Sequence, residues 1–370
     1  MTEVAWMLAG AFLCVWIVAF VGVLRVNRRS PGFSSDAPPV SVVVAARNEA
    51  PNVPWLVEAL KRQEYPDDKL EVIFVDDRSE DETAAIYERE TRGDRRFRLL
   101  RAVDKRLPAK KGALQLGVEA ASHDLILITD GDAAPSAGWA RAMAAELDAG
   151  ADVAFCAVAN FRASGLPNAF ARYERFRVSF LTFAAAGWGA PYSAVGSGFG
   201  YKRAAYETIG GYEAIAETLS GDDDLFLREA ARRGLRSTAT TDPNALVRAE
   251  APTTWRDYFR QKARHTSTSA HYLLRHKIIL GVWHFLNLAP YVSAGAAFWD
   301  PILAAPLGVK VLADVSTAAA LKRRFGDRFS PLSDAVFALV AELAPAAHYL
   351  RARLGEETWK ERPSGKQDEK

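Results

Sequence analysis

Apolar positions change their spacing several times along the chain. Residues 4–24 form an apolar run without a charge, long enough to cross a hydrocarbon core of ~30 Å. Arg25, Arg28 and Arg29 come directly after it. A cleaved signal peptide is the rival reading. The charges follow the apolar run rather than precede it, however, and no small-residue cleavage pattern comes next, so an N-terminal membrane anchor is predicted. Positive charge at its end places the downstream chain on the cytoplasmic side. Residues 30–39, SPGFSSDAPP, break every period and read as a linker.

Beyond the linker, short β-branched runs alternate with helical spacing. Strands are predicted at 40–45, 70–75, 97–100 and 125–129, and helices at 52–62, 82–92 and 112–121. In the first helix Val53, Leu56, Val57 and Leu60 share one face. Strand-helix alternation of this kind implies a mostly parallel α/β sheet, with its ligand site outside the carboxyl ends of the strands. Apolar patterning returns near the C-terminus. Residues 278–299 hold no Asp, Glu, Lys or Arg; 301–321 are interrupted only by Lys310 and Asp314, and 335–350 only by Glu342. Membrane helices are predicted at the first two, with Lys322-Arg323-Arg324 returning to the cytoplasm. Helices buried in a large soluble core are the alternative.

Composition changes this picture little. The chain has 370 residues, 49% of them hydrophobic, and a net charge of +2. The basic stretch 89–111 is broken by acidic residues and reads first as a solvated face and second as a contact with acidic lipid, and no nucleic-acid partner is expected. Two cysteines, Cys14 and Cys156, make no disulfide framework. Two aromatic stripes, Phe170-Tyr173-Phe176-Phe180-Phe183 and Trp255-Tyr258-Phe259, read first as core packing. Helices lying in a membrane interface are the second reading. His271, His276 and His284 lack ligand spacing and read as packing or interface residues.

The chemistry lies in three acidic clusters. Asp76-Asp77 ends the second predicted strand, Asp130-Gly131-Asp132 ends a later one, and Asp222-Asp223-Asp224 opens a helix. Each alone has an ordinary explanation as turn or cap chemistry. In a parallel sheet, however, the first two converge on one edge. Carboxylates gathered there repel unless a cation sits among them. Mg²⁺ or Mn²⁺ takes hard oxygen ligands and keeps substrate phosphates in its shell.

Seven segments then occur in order: VVVAARNEAPNV…LKRQEYP, VDDRSEDET, KKGALQLG, ITDGDAAP, GSGFGYKRAAYETIGGY, GDDDL and QKARH. Over residues 40–266 the chain resembles family 2 glycosyltransferases. That resemblance implies a GT-A fold, a Rossmann-like, mostly parallel sheet, with N- and C-terminal transmembrane helices. By position it implies that Asn48 and Glu49 lie beside the nucleotide, and that Asp76 and Asp77 contact its base and ribose. Lys111 would stand near the sugar nucleotide. Asp130 and Asp132 would bind the metal-diphosphate, and residues 196–201 would flank the donor sugar. Asp222 would be the general base, and Gln261, Arg264 and His265 would match the Q-x-x-R-W motif. Three positions depart from the family pattern: Arg78 stands for a frequent Gly, Gly221 for Glu, and His265 for Trp. The Gly221 change leaves Asp222 and Asp223 as rival bases; counting back from Leu225 favours Asp222.

The resulting expectation is a multi-pass protein of a bacterial inner membrane. It would comprise an anchor (1–29), a nucleotide-sugar-binding catalytic domain (38–250) facing the cytoplasm, an interface helix with QKARH (251–277), C-terminal membrane helices (278–354) and a polar tail (355–370). It would transfer a sugar, with inversion, from a nucleotide-diphosphate donor to a lipid or lipid-linked hydroxyl. A processive polysaccharide synthase and a silent nucleotide-sugar-binding scaffold are the rival readings.

Overall fold

The chain opens with α1 (Thr2–Arg25). After the linker come β1 (Val40–Ala46), α2 (Val53–Lys61), β2 (Leu70–Asp76), α3 (Thr83–Glu90), β3 (Phe97–Arg101), α4 (Ala109–Ala120) and β4 (Leu125–Asp130). The same unit continues with β5 (Ala133–Pro135), α5 (Trp139–Asp148), β6 (Val153–Cys156) and β7 (Val158–Asn160). A computed structural model describes residues 2–33, 36–344, 358–359 and 362–363. α6 (Leu166–Gly187) is followed by β8 (Phe199–Lys202), α7 (Arg203–Ile209), α8 (Asp224–Arg232), β9 (Ser237–Thr240) and β10 (Val247–Ala249). The chain closes with α9 (Trp255–Ser267), α10 (Leu274–Gly295), α11 (Ala305–Leu321) and α12 (Pro331–Val340).

These elements form two units. The sheet unit takes residues 27–161 and 191–250; the helical unit takes 2–26, 162–190 and 251–344. In the sheet unit seven strands run in the order β3-β2-β1-β4-β8-β6-β9. The four on the β3 side are parallel, because each is joined to the next through a helix on a sheet face. β8 runs antiparallel to both β4 and β6, so the sheet is mixed at its far side. Gly200 in β8 is needed there: a Cβ would stand 2.6 Å from Leu127 Cδ2 and 3.1 Å from the Ile126 carbonyl oxygen. Every residue of β1 is buried, as its run of Val and Ala requires of a central strand covered on both faces. Val53, Leu56, Val57 and Leu60 of α2 are buried against Trp139, Met143 and Leu147 of α5 and the β1 side chains. A second sheet of three strands, β5-β10-β7, follows directly from the end of β4.

In the helical unit the aromatic stripe of α6 is core. Phe170 packs on Tyr258 and Phe337, Phe176 and Phe183 pack on Phe325, and Phe180 packs on Trp283. Two ion pairs lie buried inside this unit, Glu174 with Lys262 at 2.6 Å and Arg172 with Asp327 at 2.6 Å. Gly22 of α1 and Gly187 of α6 cross closely, since a Cβ on Gly187 would fall 1.8 Å from the Gly22 carbonyl oxygen. His284 Nδ1 lies 3.2 Å from Glu342, and His276 is buried. Three helices, Thr2–Arg25, Leu274–Gly295 and Pro301–Leu321, are long and apolar enough to cross a membrane, which supports membrane association. The third apolar stretch is different. α12 has only 10 residues, too few to span, and residues 345–350 lie outside the described residues, as does most of the tail expected from 355.

One titratable group in the sheet unit makes its stability depend on pH. Glu146 of α5 is 4% exposed. Burial pushes its carboxyl up to about 7 and the charge of Asp242 adds to this, while hydrogen bonds from Ser30, Thr240 and Thr238 oppose it. The folded chain therefore holds this proton where the unfolded chain, near the ordinary Glu value of ~4.3, has released it. Stability falls as pH rises from about 4.5 to 7, and the full cost persists above that. Glu146→Gln is expected to stabilise the protein at pH 8 by on the order of 1–3 kcal/mol and to have little effect at pH 5. Thermal midpoints at the two pH values check this.

Candidate active site

The parallel register aligns Ala45 with Asp130 and Ala46 with Asp76, so both carboxylate clusters leave the sheet at one edge. Three loops build that edge. The loop after β1 is laced to the loop after β2: the Asn48 amide oxygen accepts from Glu80 N at 2.8 Å, Glu49 N donates to Thr83 Oγ1 at 2.8 Å, and Arg47 pairs with Glu80 at 2.9 Å. The third loop, between β3 and α4, supplies Lys105, and the first turn of α4 supplies Lys110. Lys105 Nζ lies 2.5 Å from Asp77 Oδ1, both groups being buried, and also donates to the Ala109 carbonyl at 2.9 Å. Lys110 Nζ lies 2.6 Å from Asp130 Oδ1 and 2.7 Å from Asp222 Oδ2. Carboxylates distant in sequence thus share one ammonium.

The surrounding groups fix this bridge. Ser197 Oγ donates to the other oxygen of Asp130 at 2.6 Å. Gly196 roofs the bridge, because a Cβ there would stand 3.0 Å from Lys110 Nζ and 3.2 Å from Asp222 Oδ2. Burial alone would favour neutral Lys110, but the charges of Asp130 and Asp222 outweigh it and hold its pKa well above the ordinary lysine value. The neighbours of Asp222 are committed elsewhere. Asp223 caps α8 by accepting from Asp224 N at 2.7 Å, and Asp224 accepts from Ala194 N at 3.1 Å. Burial, and then the charges of Asp224 and Asp222, push the Asp223 carboxyl well above the ordinary aspartate value. Gly221 takes φ +80, a left-handed turn that suits glycine and not the expected Glu.

At the turn after β4, Gly131 allows Glu49 to approach; a Cβ would meet Glu49 Cγ at 2.8 Å. Asp132 is half-buried one residue on, and its carbonyl accepts from Glu250 N at 3.0 Å. Among the described residues no group of three or more His, Cys, Asp or Glu is placed to hold an ion unaided.

Residues 41–210 match the family described as "Glycosyl transferase family 2". The chain carries a family 2 glycosyltransferase domain. It is 28% identical over 240 residues, 62% of this chain and 54% of the relative, to a probable glycosyltransferase, YdaM, of Bacillus subtilis. It is 32% identical over 96 residues, 26% of this chain and 20% of the relative, to a beta-monoglucosyldiacylglycerol synthase of Trichormus variabilis. The chain thus spans about half the length of the first of these curated relatives and less of the second. Among solved structures it resembles PcManGT, a mannosyltransferase of Pyrobaculum calidifontis in complex with GDP-Man and Mn²⁺, with TM-score 0.64 and 22% identity, over 96% of this chain and 99% of that one. The architecture is the GT-A fold.

In this glycosyltransferase domain the expected residues occupy different depths. Asp130 and Asp222 face one another across Lys110. Asp76 and Asp77 are buried at the end of β2. Glu49 is buried and accepts from Asn52 at 2.7 Å. Lys111 stands apart from the carboxylates: its ammonium donates to the carbonyls of Ile215 and Thr218, at 2.5 and 2.8 Å. Adjacent helix positions differ by about 100° around the axis, so only one of the two lysines can face the carboxylates, and it is Lys110. The signal was present in the doubled Lys110-Lys111. It was missed because Lys111, not Lys110, aligns with the lysine of the K-G-x-A-L segment in the family pattern. Gln261 and Arg264 are half-buried and His265 exposed, on α9 of the helical unit.

Among the described residues three other than glycine take left-handed backbone angles, and all lie at or beside these loops: Asn48 (φ 52), Arg78 (φ 55) and Ala109 (φ 51), the first residue of α4. Arg78 keeps the conformation of the glycine it replaces and donates to the Ala102 and Val103 carbonyls, at 3.2 and 2.8 Å. Ala109 has no such compensation in its side chain. Ala109→Gly is therefore expected to raise stability by about 1 kcal/mol, and Ala109→Val to lower it by more; thermal midpoints of both variants check this.

Proposed function

We propose that this chain is a membrane-bound inverting glycosyltransferase. It moves a sugar from a nucleotide-diphosphate donor to a lipid or lipid-linked hydroxyl. The observation that carries this reading is the meeting of Asp130 and Asp222 on one ammonium. It brings the carboxylate expected to serve the donor diphosphate next to the one expected to serve the acceptor.

The donor side fits a divalent cation. Asp130 and Asp132 offer hard oxygens, the ligand type of Mg²⁺ and Mn²⁺, and Asp130 already holds a positive group at 2.6 Å. Two carboxylates leave most of the coordination shell to diphosphate and water, as is usual for such ions. A bound ion supplies neutralisation of the departing diphosphate. A structural neighbour solved with GDP-Man and Mn²⁺ supports this assignment.

On the acceptor side Asp222 serves as general base. It takes the proton of the acceptor hydroxyl as that oxygen attacks the anomeric carbon, and the bond from that carbon to the diphosphate breaks on the opposite face. Asp223 and Asp224 are occupied in capping and loop contacts, so Asp222 is the member of the trio left to this role. Membrane helices and a relative named a beta-monoglucosyldiacylglycerol synthase favour a lipid acceptor. The basic residues after α1 and after α11 favour a cytoplasmic catalytic domain on a bacterial inner membrane.

Asp222→Asn is expected to cut transfer by on the order of 10²–10⁴-fold without weakening donor binding. Product formation and donor titration are measured on the same preparation, and loss of donor binding removes Asp222 from the base role. Asp132→Ala is expected to weaken Mn²⁺-dependent donor binding by about tenfold or more; unchanged affinity removes the ion from Asp132.

A further inference from the structure

The carboxylate assigned as base is not available as it stands. Asp222 Oδ2 is 2.7 Å from Lys110 Nζ, and its side chain is only 12% exposed. That oxygen is occupied by the ammonium, so an acceptor hydroxyl cannot reach it until the ammonium moves away. The same ammonium engages Asp130 Oδ1. An ammonium has three donors and a flexible four-carbon stem. Lys110 can therefore change partners without backbone motion. Its exchange is confined: Gly196 lies over it, Ser197 holds the other Asp130 oxygen, and Ala109 sets the start of its helix in a strained turn.

We propose that Lys110 is a positioning residue that keeps Asp222 locked until a diphosphate arrives. The proposal rests on the donor and acceptor roles assigned to Asp130 and Asp222 under the proposed function. Without ligand the single positive charge of Lys110 satisfies two carboxylates. A divalent cation on Asp130 repels the ammonium, and the diphosphate offers it a more highly charged partner. Lys110 then leaves Asp222 for the diphosphate, and the base is released beside a loaded donor. Donor binding comes first and proton acceptance second, so no water is activated in the donor-free site. Lys110 also opposes binding of a bare metal ion while favouring the metal-diphosphate.

These two effects have opposite signs, which sets them apart from a general weakening of the fold. The test uses the full chain in detergent, with Lys110→Met, which keeps the stem and removes the charge. The probes are Mn²⁺ alone, followed by electron paramagnetic resonance, and Mn²⁺ with inorganic pyrophosphate, followed by calorimetry. Relative to the unchanged protein, Lys110→Met is expected to bind Mn²⁺ alone about tenfold tighter and Mn²⁺-pyrophosphate about tenfold more weakly. Parallel weakening of both, or no change in either, overturns the lock. Should Lys110→Met not fold, Asp222→Asn answers the same question. With no carboxylate competing for the ammonium, it is expected to bind Mn²⁺-pyrophosphate several-fold tighter, and equal or weaker binding overturns the proposal. The Asp132→Ala titration separates the two levels. If Asp132→Ala weakens Mn²⁺ binding while neither lock variant shifts as stated, the lock alone is lost. If Mn²⁺-pyrophosphate binds equally well without Asp132, or the unchanged protein binds no Mn²⁺-pyrophosphate, the donor-site reading falls and the lock with it.

Discussion

Carboxylates gathered at one edge of a sheet must be neutralised, and this constraint organises the loops of the sheet unit. Two lysines do it, one in the β3–α4 loop and one in the first turn of α4. Lys105 pairs with the fully buried Asp77, and Lys110 pairs with the slightly more exposed Asp130 and Asp222. Because Lys105 also holds the Ala109 carbonyl, the two pairings are mechanically linked through the short backbone between them. The arrangement accounts for Gly196, where a side chain would crowd the bridge, and for the turn at Ala109, which bears strain. Breaking a buried pair of this kind typically costs about 3–5 kcal/mol, so the loop conformations follow from electrostatics as much as from hydrophobic contact.

The parallel half of the sheet was legible because its strands are nearly continuous apolar runs bounded by helices with one apolar face. β1 to β4 lie within a residue or two of the positions read from that pattern. The antiparallel side was not legible. β8 is four residues containing a glycine, and its identity depends on Leu127 and Ile126 opposite, residues some seventy positions earlier. Local spacing cannot report such a partner. The β5-β10-β7 sheet escaped for the same reason, with three residues in each strand.

At the site, residue types were easier to read than depths. Acidic clusters and a doubled lysine were visible, and the need for a cation among the carboxylates followed from charge alone. Hard oxygen ligands pointed to a divalent ion, which a neighbour solved with Mn²⁺ supports, and the folded chain also places its own ammonium beside Asp130. Register decided the rest: α4 starts three residues before the expected position, which turns Lys110 toward Asp130 and Lys111 toward the carbonyls of 215 and 218. The departures at Arg78 and Gly221 became interpretable only with their backbone angles, since both positions use left-handed turns.

The order of segments along the chain has a consequence of its own. The helical unit is assembled from three stretches, 2–26, 162–190 and 251–344, interleaved with the two stretches of the sheet unit. During synthesis α1 emerges before the sheet strands, yet Phe325 and Trp283, on which α6 packs, are made only after β10. The sheet can complete its hydrogen bonding once residue 250 is out, while the early helices wait with apolar surface uncovered. A truncation ending after β10 would retain all three acidic clusters but leave α6 without the aromatic partners that bury it. Any minimal version of this protein must therefore keep the distal helices, or excise α6 along with them.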